Sequence, residues 1–146
     1  WLSRNSNKKS TLRSWFASLG EQIVEVRVEG ETRYLLAEHE DELAATRPSR
    51  ATHLLGAFDQ FVLGPGTKDT HMLAHEHRPL VSKAAGWIAP VLTQGGRITG
   101  VWEMDDGNLV VTPFPGEQAP PSQVLEDAAA RLAAVHGSVK VTPRVD

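Results

Sequence analysis

Two turn signals in the second half of the chain constrain the fold more than any other feature. One is Gln-Gly-Gly at residues 94–96, and the other is Asp-Asp-Gly-Asn at residues 105–108. Apolar, strand-like runs lie on both sides of each signal, at residues 87–93, 97–104 and 109–114. Because tight turns of this chemistry join neighbouring antiparallel strands, the spacing predicts a three-stranded β-meander.

A helix and a last strand are predicted after the meander. Residues 113–121 are rich in Pro and Gly and end regular structure. Ser122 is then predicted to cap a helix of about 14 residues that ends at Gly137. Its apolar stripe consists of Val124, Leu125, Ala128, Leu132 and Val135. Residues 138–142 predict the last strand. Upstream of the meander, residues 67–75 predict a short helix capped by Thr67.

The N-terminal segment predicts an amphipathic helix over residues 8–19. Its apolar residues recur at helical spacing and form one stripe: Leu12, Trp15, Phe16 and Leu19. Ser6 or Asn7 can cap the start of this helix, and Gly20 suits the position just past its end.

A two-stranded hairpin is predicted directly after this helix. Val24, Val26 and Val28 alternate with charged residues, which is the periodicity of a strand. Residues 29–31 predict a tight turn, and residues 33–36 predict the returning strand. A helix followed at once by a hairpin is the arrangement of the third helix and wing of a winged helix. The acidic run 38–42 predicts a short helix.

Together these elements predict an α+β chain made of two parts. Residues 1–47 form an incomplete winged-helix unit with a third helix, a wing and a short helix. Residues 48–146 form a β-rich subdomain, an antiparallel β-meander with a C-terminal helix and strand. The chain begins at Trp1 without a methionine, so we expect a fragment of a longer protein. A winged helix without its first helices exposes its apolar stripe, and a homodimer that covers this stripe is expected.

Composition excludes several classes of function. The 146 residues include no cysteine, which removes disulfides, thiol catalysis, iron–sulfur clusters and cysteine-bound zinc. No apolar run approaches the roughly 18 residues of a membrane span, and no signal peptide is recognisable. We therefore expect a cytoplasmic protein with no membrane partner.

Charge is distributed unevenly along the chain. The net charge of −3 argues against an indiscriminate polyanion binder. Residues 21–47 hold eight acids against three bases, whereas residues 1–20 hold four bases and no acid. Those four bases are Arg4, Lys8, Lys9 and Arg13. One end of the chain is therefore basic, and the rest is not.

The sequence offers little support for catalysis or metal binding. There is no Gly-x-Ser-x-Gly elbow, and the glycines at residues 64–68 lack the spacing of a phosphate loop. Asp105 and Asp106 fall in a predicted turn, where aspartate shapes the backbone. His71 and His75 would lie one helical turn apart and are the candidate zinc or nickel ligands. No third ligand has a fixed spacing, so neither a metal nor a cofactor is predicted.

The basic helix is the best candidate for function. Lys8, Lys9, Ser10 and Arg13 can meet DNA phosphates, and Arg27 and Arg33 would extend this surface along the wing. The alternative interpretation is a solvated helix face. Aromatic residues can stack on bases, but most lie on apolar stripes, so core packing is favoured. In particular, Trp87 and Trp102 are predicted to pack within the meander.

The order of several motifs resembles a known family. Residues 54–64, LLGAFDQFVLG, resemble the signature L-L-P-x-F-D-x-Y-L-L-G of bacterial winged-helix DNA-binding domain proteins. His77-Arg78 and residues 86–91 (GWIAPV) are similar to a following segment, H-R and then G-W-x-x-P-V. Residues 95–102 (GGRITGVW) resemble x-G-x-x-x-G-x-W. The resemblance covers nearly the whole chain.

This resemblance implies a fold and a function. The family includes DNA glycosylases of the AlkZ/YcaQ type, which unhook interstrand crosslinks and combine tandem winged helices with a β-rich C-terminal region. Their catalytic signature is Gln-x-Gln in the N-terminal half. Every glutamine here is isolated, so no catalytic residue carries over, and whether the parent is an enzyme stays open.

The resemblance therefore implies a DNA-binding module that contacts double-stranded DNA. Of the two meander turns, the first is favoured for DNA contact, because Arg97 is the only base in either. A scaffold or protein-interaction domain with a degenerate DNA face is the alternative.

Overall fold

The computed structural model describes residues 8–105, 108–136 and 143–145, and it divides the chain into two compact units, residues 1–48 and 49–146. Within the described residues, no helix is both long and apolar enough to cross a membrane. The two units are described separately below.

The described part of the first unit, residues 8–48, contains two α-helices and one hairpin. Its regular elements are α1 (Lys9–Leu19), β1 (Ile23–Val28), β2 (Glu31–Leu36) and α2 (Glu40–Ala45). Two 3₁₀ turns, Gly20–Gln22 and Ala37–His39, connect α1 to β1 and β2 to α2. The predicted helix, hairpin and short acidic helix are therefore all present. Ser6 and Asn7, the predicted caps of α1, lie outside the described residues.

The hairpin turn follows from its two central residues. Val28 pairs with Glu31, so the loop contains only Glu29 and Gly30. Both adopt positive φ, +50° and +86°, as a type I′ turn requires. This turn matches the right-handed twist of β1 and β2, which is why a two-residue loop is enough.

The first unit has no fully buried side chain among its described residues. Leu12 and Leu19 of the apolar stripe are partly buried, whereas Trp15 and Phe16 are exposed, with 50% and 46% of their surface accessible. The Phe16 ring contacts Tyr34 of β2 edge-on, with ring centroids 5.2 Å apart. The stripe thus contacts the hairpin but does not complete a core.

The second unit is built on a five-stranded sheet in the order β3-β4-β5-β6-β7. Its strands are β3 (Thr52–Leu55), β4 (Val91–Gln94), β5 (Arg97–Asp105), β6 (Asn108–Pro113) and β7 (Pro143–Val145). Strands β4 to β6 form the predicted antiparallel meander, and β3 adds antiparallel to β4. Strand β7 runs parallel to β6. Most of the predicted last strand, residues 138–142, lies outside the described residues.

Two apolar clusters hold the second unit together. Helix α5 (Ser122–His136) contributes Leu125, Ala128 and Ala129 to one of them. The sheet contributes the rest of this cluster through Leu54, Leu92, Trp102, Leu109 and Val111. The other cluster contains residues from the loops before β4 and from the sheet: Val62, Met72, Leu73, Val81, Ile88, Val91, Ile98 and Phe114. Neighbouring residues such as Val91 and Leu92 enter different clusters because strand side chains alternate.

Three local predictions in the second unit are wrong. Residues 67–74 form turns, and the regular helices here are the short α3 (Gln60–Leu63) and α4 (Arg78–Val81). The strand predicted over residues 87–93 begins only at Val91, because Pro90 has no N–H to donate to a ladder. Ser122 is the first residue of α5 and not its cap.

Candidate nucleic-acid interface

The N-terminus of α1 carries positive charge, from Lys8 and Lys9. Lys8 occupies the capping position but makes no side-chain capping bond, and the first turn contains no acidic residue. Lys8, Lys9 and Ser10 are all exposed. The first backbone N–H groups of a helix have no intrahelical partner and present partial positive charge. The two lysines therefore add to a potential that already attracts anions.

Arg13 extends this basic surface along the helix. It lies one turn after Lys9, so the two side chains share a face of α1. Neither the Lys9 nor the Arg13 side chain has a hydrogen bond or ion pair with any residue in the described part of the chain. We name the surface formed by Lys8, Lys9, Ser10 and Arg13 the α1 basic surface.

The two arginines of the β1–β2 hairpin do not point the same way. Arg27 lies opposite Thr32 and Arg33 lies opposite Val26, so their side chains project from opposite faces of the hairpin. Arg27 Nη1 donates to the Gly30 carbonyl at 3.1 Å. Arg33 forms an ion pair with the Glu31 carboxylate. The structure therefore does not bring these predicted site residues together.

Arg97 belongs to the second unit and lies at the predicted turn. It opens β5 next to Gly95 and Gly96, and its Nη1 donates to the His71 carbonyl at 3.2 Å. The Ile98 N–H donates to the Met72 carbonyl at 2.8 Å, which fixes the start of β5 to the same loop. Arg97 is exposed and held in place by this loop.

His71 and His75, the candidate zinc or nickel ligands, do not lie one helical turn apart. The helix that would place them one turn apart does not form, because the Asp69 carboxylate accepts the His71 N–H at 2.9 Å and favours a turn. His75 lies instead in the 3₁₀ turn His75–His77. Across residues 8–105, 108–136 and 143–145, no group of three or more His, Cys, Asp or Glu side chains is positioned to hold a metal ion.

The tryptophans of the second unit differ from the prediction in one case. Trp102 is buried, and its Nε1 donates to the Leu55 carbonyl at 2.9 Å, so its packing within the meander is confirmed. Trp87 lies in the loop before β4 and is 52% exposed. It contacts the ring of Phe58, which is also exposed, with centroids 5.0 Å apart and planes at 85°.

Sequence reasoning missed this exposed aromatic pair. Ala85 and Gly86, directly before Trp87, both adopt positive φ, which interrupts a strand at this point. A Gly before the Trp and a Pro after Ala89 together indicate a loop.

Comparison with known proteins identifies the family. The family described as "DNA glycosylase AlkZ-like" matches residues 1–135. An "Interstrand DNA cross-link repair glycosylase" of Streptomyces sahachiroi is 50% identical over 145 residues, which are 99% of this chain and 39% of that protein. The solved structure of Streptomyces sahachiroi DNA glycosylase AlkZ superposes with a TM-score of 0.95 at 50% identity, over 100% of this chain and 39% of that one.

These matches extend over both units of the chain, and they confirm the resemblance that the motifs indicated. The chain spans only 39% of the length of these relatives. It belongs to the AlkZ-like DNA glycosylase family.

Proposed function

We propose that this chain is a DNA-binding module of a crosslink-repair DNA glycosylase and that it holds duplex DNA through the α1 basic surface. The observation that carries the proposal is the α1 N-terminus, where Lys8, Lys9 and Arg13 have no acidic partner among the described residues of a chain from this family. The lysines and the free N–H groups there can donate hydrogen bonds to phosphate oxygens.

The proposed role is binding and not the chemical step. The family resemblance places a Gln-x-Gln pair at the catalytic centre, and this sequence contains no such pair. Hydrolysis of an N-glycosidic bond would then depend on residues that this sequence does not contain. This chain would position the duplex for that step, and phosphate contacts do so without reading sequence. The setting we propose is the cytoplasm.

The remaining predicted contacts rank below the α1 basic surface. Arg27 and Arg33 face opposite sides of the wing, so only one of them can join a single DNA surface. Arg33 would have to exchange Glu31 for a phosphate. Arg97 and Lys8 lie in different units, so we propose Arg97 as a separate contact at the first meander turn.

A scaffold or protein-interaction domain is the second candidate function. The observation in its favour is the acidic first turn of α2, with Glu40, Asp41 and Glu42. These acids have a local explanation, since carboxylates stabilise the N-terminus of a helix. Glu42 also lies 3.2 Å from His39 Nδ1. The acidic run is therefore accounted for within its own unit without a protein partner.

Fluorescence anisotropy of a labelled duplex tests the proposal. The variant Lys9→Glu/Arg13→Glu should weaken binding at least about tenfold at low salt, because two charge-assisted contacts become repulsive. The matched control is Arg50→Glu/Lys68→Glu, which makes the same charge change at exposed positions of the second unit. Equal losses in both variants would show that only net charge matters and would reject the α1 basic surface.

A further inference from the structure

A groove beside Trp87 has the size and lining of a ligand site. Its volume is about 530 Å³, within the range of roughly 300–1,000 Å³ that small-molecule sites occupy. Trp87, Leu80 and Met104 line it and are all partly exposed, while the buried Trp102 forms part of its wall. Such a concentration of exposed apolar side chains on one surface indicates a binding site.

The backbone holds Trp87 outward at a conformational cost. Phe58 adopts φ +58° and Ala85 adopts φ +55°, and both residues lie in the loops that carry the exposed aromatic pair. Positive φ is unfavourable for residues with a Cβ and is seen where the surroundings impose it. The Phe58 ring stands nearly perpendicular to Trp87, which fixes the tryptophan ring while leaving half of its surface exposed.

Lys83 lines the groove together with Trp87. The Lys83 N–H donates to the Trp87 carbonyl at 2.8 Å, so Lys83 and Trp87 are the two ends of one tight turn. The Lys83 side chain is exposed and has no ion-pair partner among the residues that the structure describes. Among the described residues, Glu103 is the acid that lines the groove. An occupant with an apolar flat face, an anionic group and an N–H donor would match this set.

We propose that the Trp87 groove binds an unpaired DNA base, which stacks on Trp87 while its phosphate lies beside Lys83. Base–aromatic stacking is tolerant of sequence because every base has a π-face, and the Glu103 carboxylate can accept an N–H from the edge of the base. The inference rests on the proposed function, because it assigns the groove to the same ligand, DNA.

The experiment follows Trp87 directly. The chain is labelled with 5-fluorotryptophan, and its four tryptophan ¹⁹F resonances are assigned with single Trp→Phe variants. A short single-stranded oligothymidylate is then titrated at low salt. The comparison probe is an abasic oligomer of the same length, which has the same phosphates but no bases.

The proposal predicts that the Trp87 resonance shifts and that the abasic oligomer binds at least about fivefold more weakly. Trp87→Ala should weaken oligothymidylate binding by a similar factor, and Trp87→Phe should restore most of it. The matched control is Phe61→Ala, which removes another exposed aromatic ring outside the groove and should change nothing.

Three results would overturn the proposal: no binding of oligothymidylate, equal binding of the abasic oligomer, or saturation without movement of the Trp87 resonance. The wild-type resonance reports the outcome even if Trp87→Ala fails to fold. Lys9→Glu/Arg13→Glu separates this failure from that of the proposed function. If duplex binding is lost in that variant while Trp87 is unmoved by the oligomer in the wild type, only the groove assignment is wrong.

Discussion

Gly100 lies where strands β5 and β6 approach too closely for a side chain. A Cβ at this position would lie 2.7 Å from the Thr112 carbonyl oxygen and 3.0 Å from the Pro113 Cα. Both atoms belong to the backbone of β6 and cannot move independently of the sheet. In the sequence, Gly100 stands out only as part of the motif at residues 95–102. The structure gives the physical reason for a glycine there.

We therefore predict that Gly100→Ala lowers the free energy of unfolding by about 1–3 kcal/mol, the usual cost of overpacking. Chemical denaturation of both proteins measures this loss. The matched control is Gly56→Ala, where a Cβ meets nothing within 4 Å and φ is not positive. A Gly100→Ala variant as stable as Gly56→Ala would contradict the close approach of the two strands.

At the scale of elements, the sequence predicts those strands and turns that depend on residues close together in the chain. The β1–β2 hairpin and the meander follow from alternation and turn residues, and both are confirmed. The helix over residues 67–75 was wrong because the Asp69 side chain bonds to the backbone and periodicity does not report this.

Strand β3 shows the opposite failure. Its four residues are too few for a periodic signal, and its strand state depends on pairing with β4, which is distant in sequence. The candidate site divides in the same way. The α1 basic surface was visible as a charge pattern, whereas the Trp87 groove needs residues from separate segments and was not.

Helix α5 is expected to be essential for the stability of the second unit. Leu125 is buried against the cluster that contains Leu54, Trp102 and Leu109. Leu125→Ala should cost about 2–5 kcal/mol of unfolding free energy, since it leaves a cavity in a packed core. Urea denaturation followed by circular dichroism measures this cost, with the exposed Glu126→Ala as the control. A loss of unfolding free energy no larger than that of Glu126→Ala would contradict the packing of Leu125 in the core.

At the scale of the whole molecule, the two units differ in how they bury apolar surface. The second unit has two buried clusters, whereas the first unit leaves Trp15, Phe16 and Tyr34 about half exposed. Apolar patches of this kind mark contact surfaces on soluble proteins. A homodimer formed through the α1 stripe therefore stays a prediction of this account.

We expect this chain to self-associate with increasing concentration, and we expect Trp15→Ser/Phe16→Ser to abolish this. Sedimentation velocity over a concentration series provides the measurement. Phe61→Ser is a suitable control because it removes an exposed ring from the second unit. A wild-type chain that stays monomeric throughout the series would refute the dimer.

The salt dependence of duplex binding tests whether DNA binds through the α1 basic surface. The logarithm of the binding constant should fall linearly with the logarithm of salt concentration, with a slope of about −0.9 for each phosphate contact. Lys8, Lys9 and Arg13 together should contribute about −2.7 to this slope. Lys9→Glu/Arg13→Glu should reduce the magnitude of the slope by about 1.8, while Arg50→Glu/Lys68→Glu should leave it unchanged. A binding constant that does not change between about 50 and 200 mM salt would contradict DNA binding through α1. A slope that is the same in Lys9→Glu/Arg13→Glu as in the wild type would contradict it too.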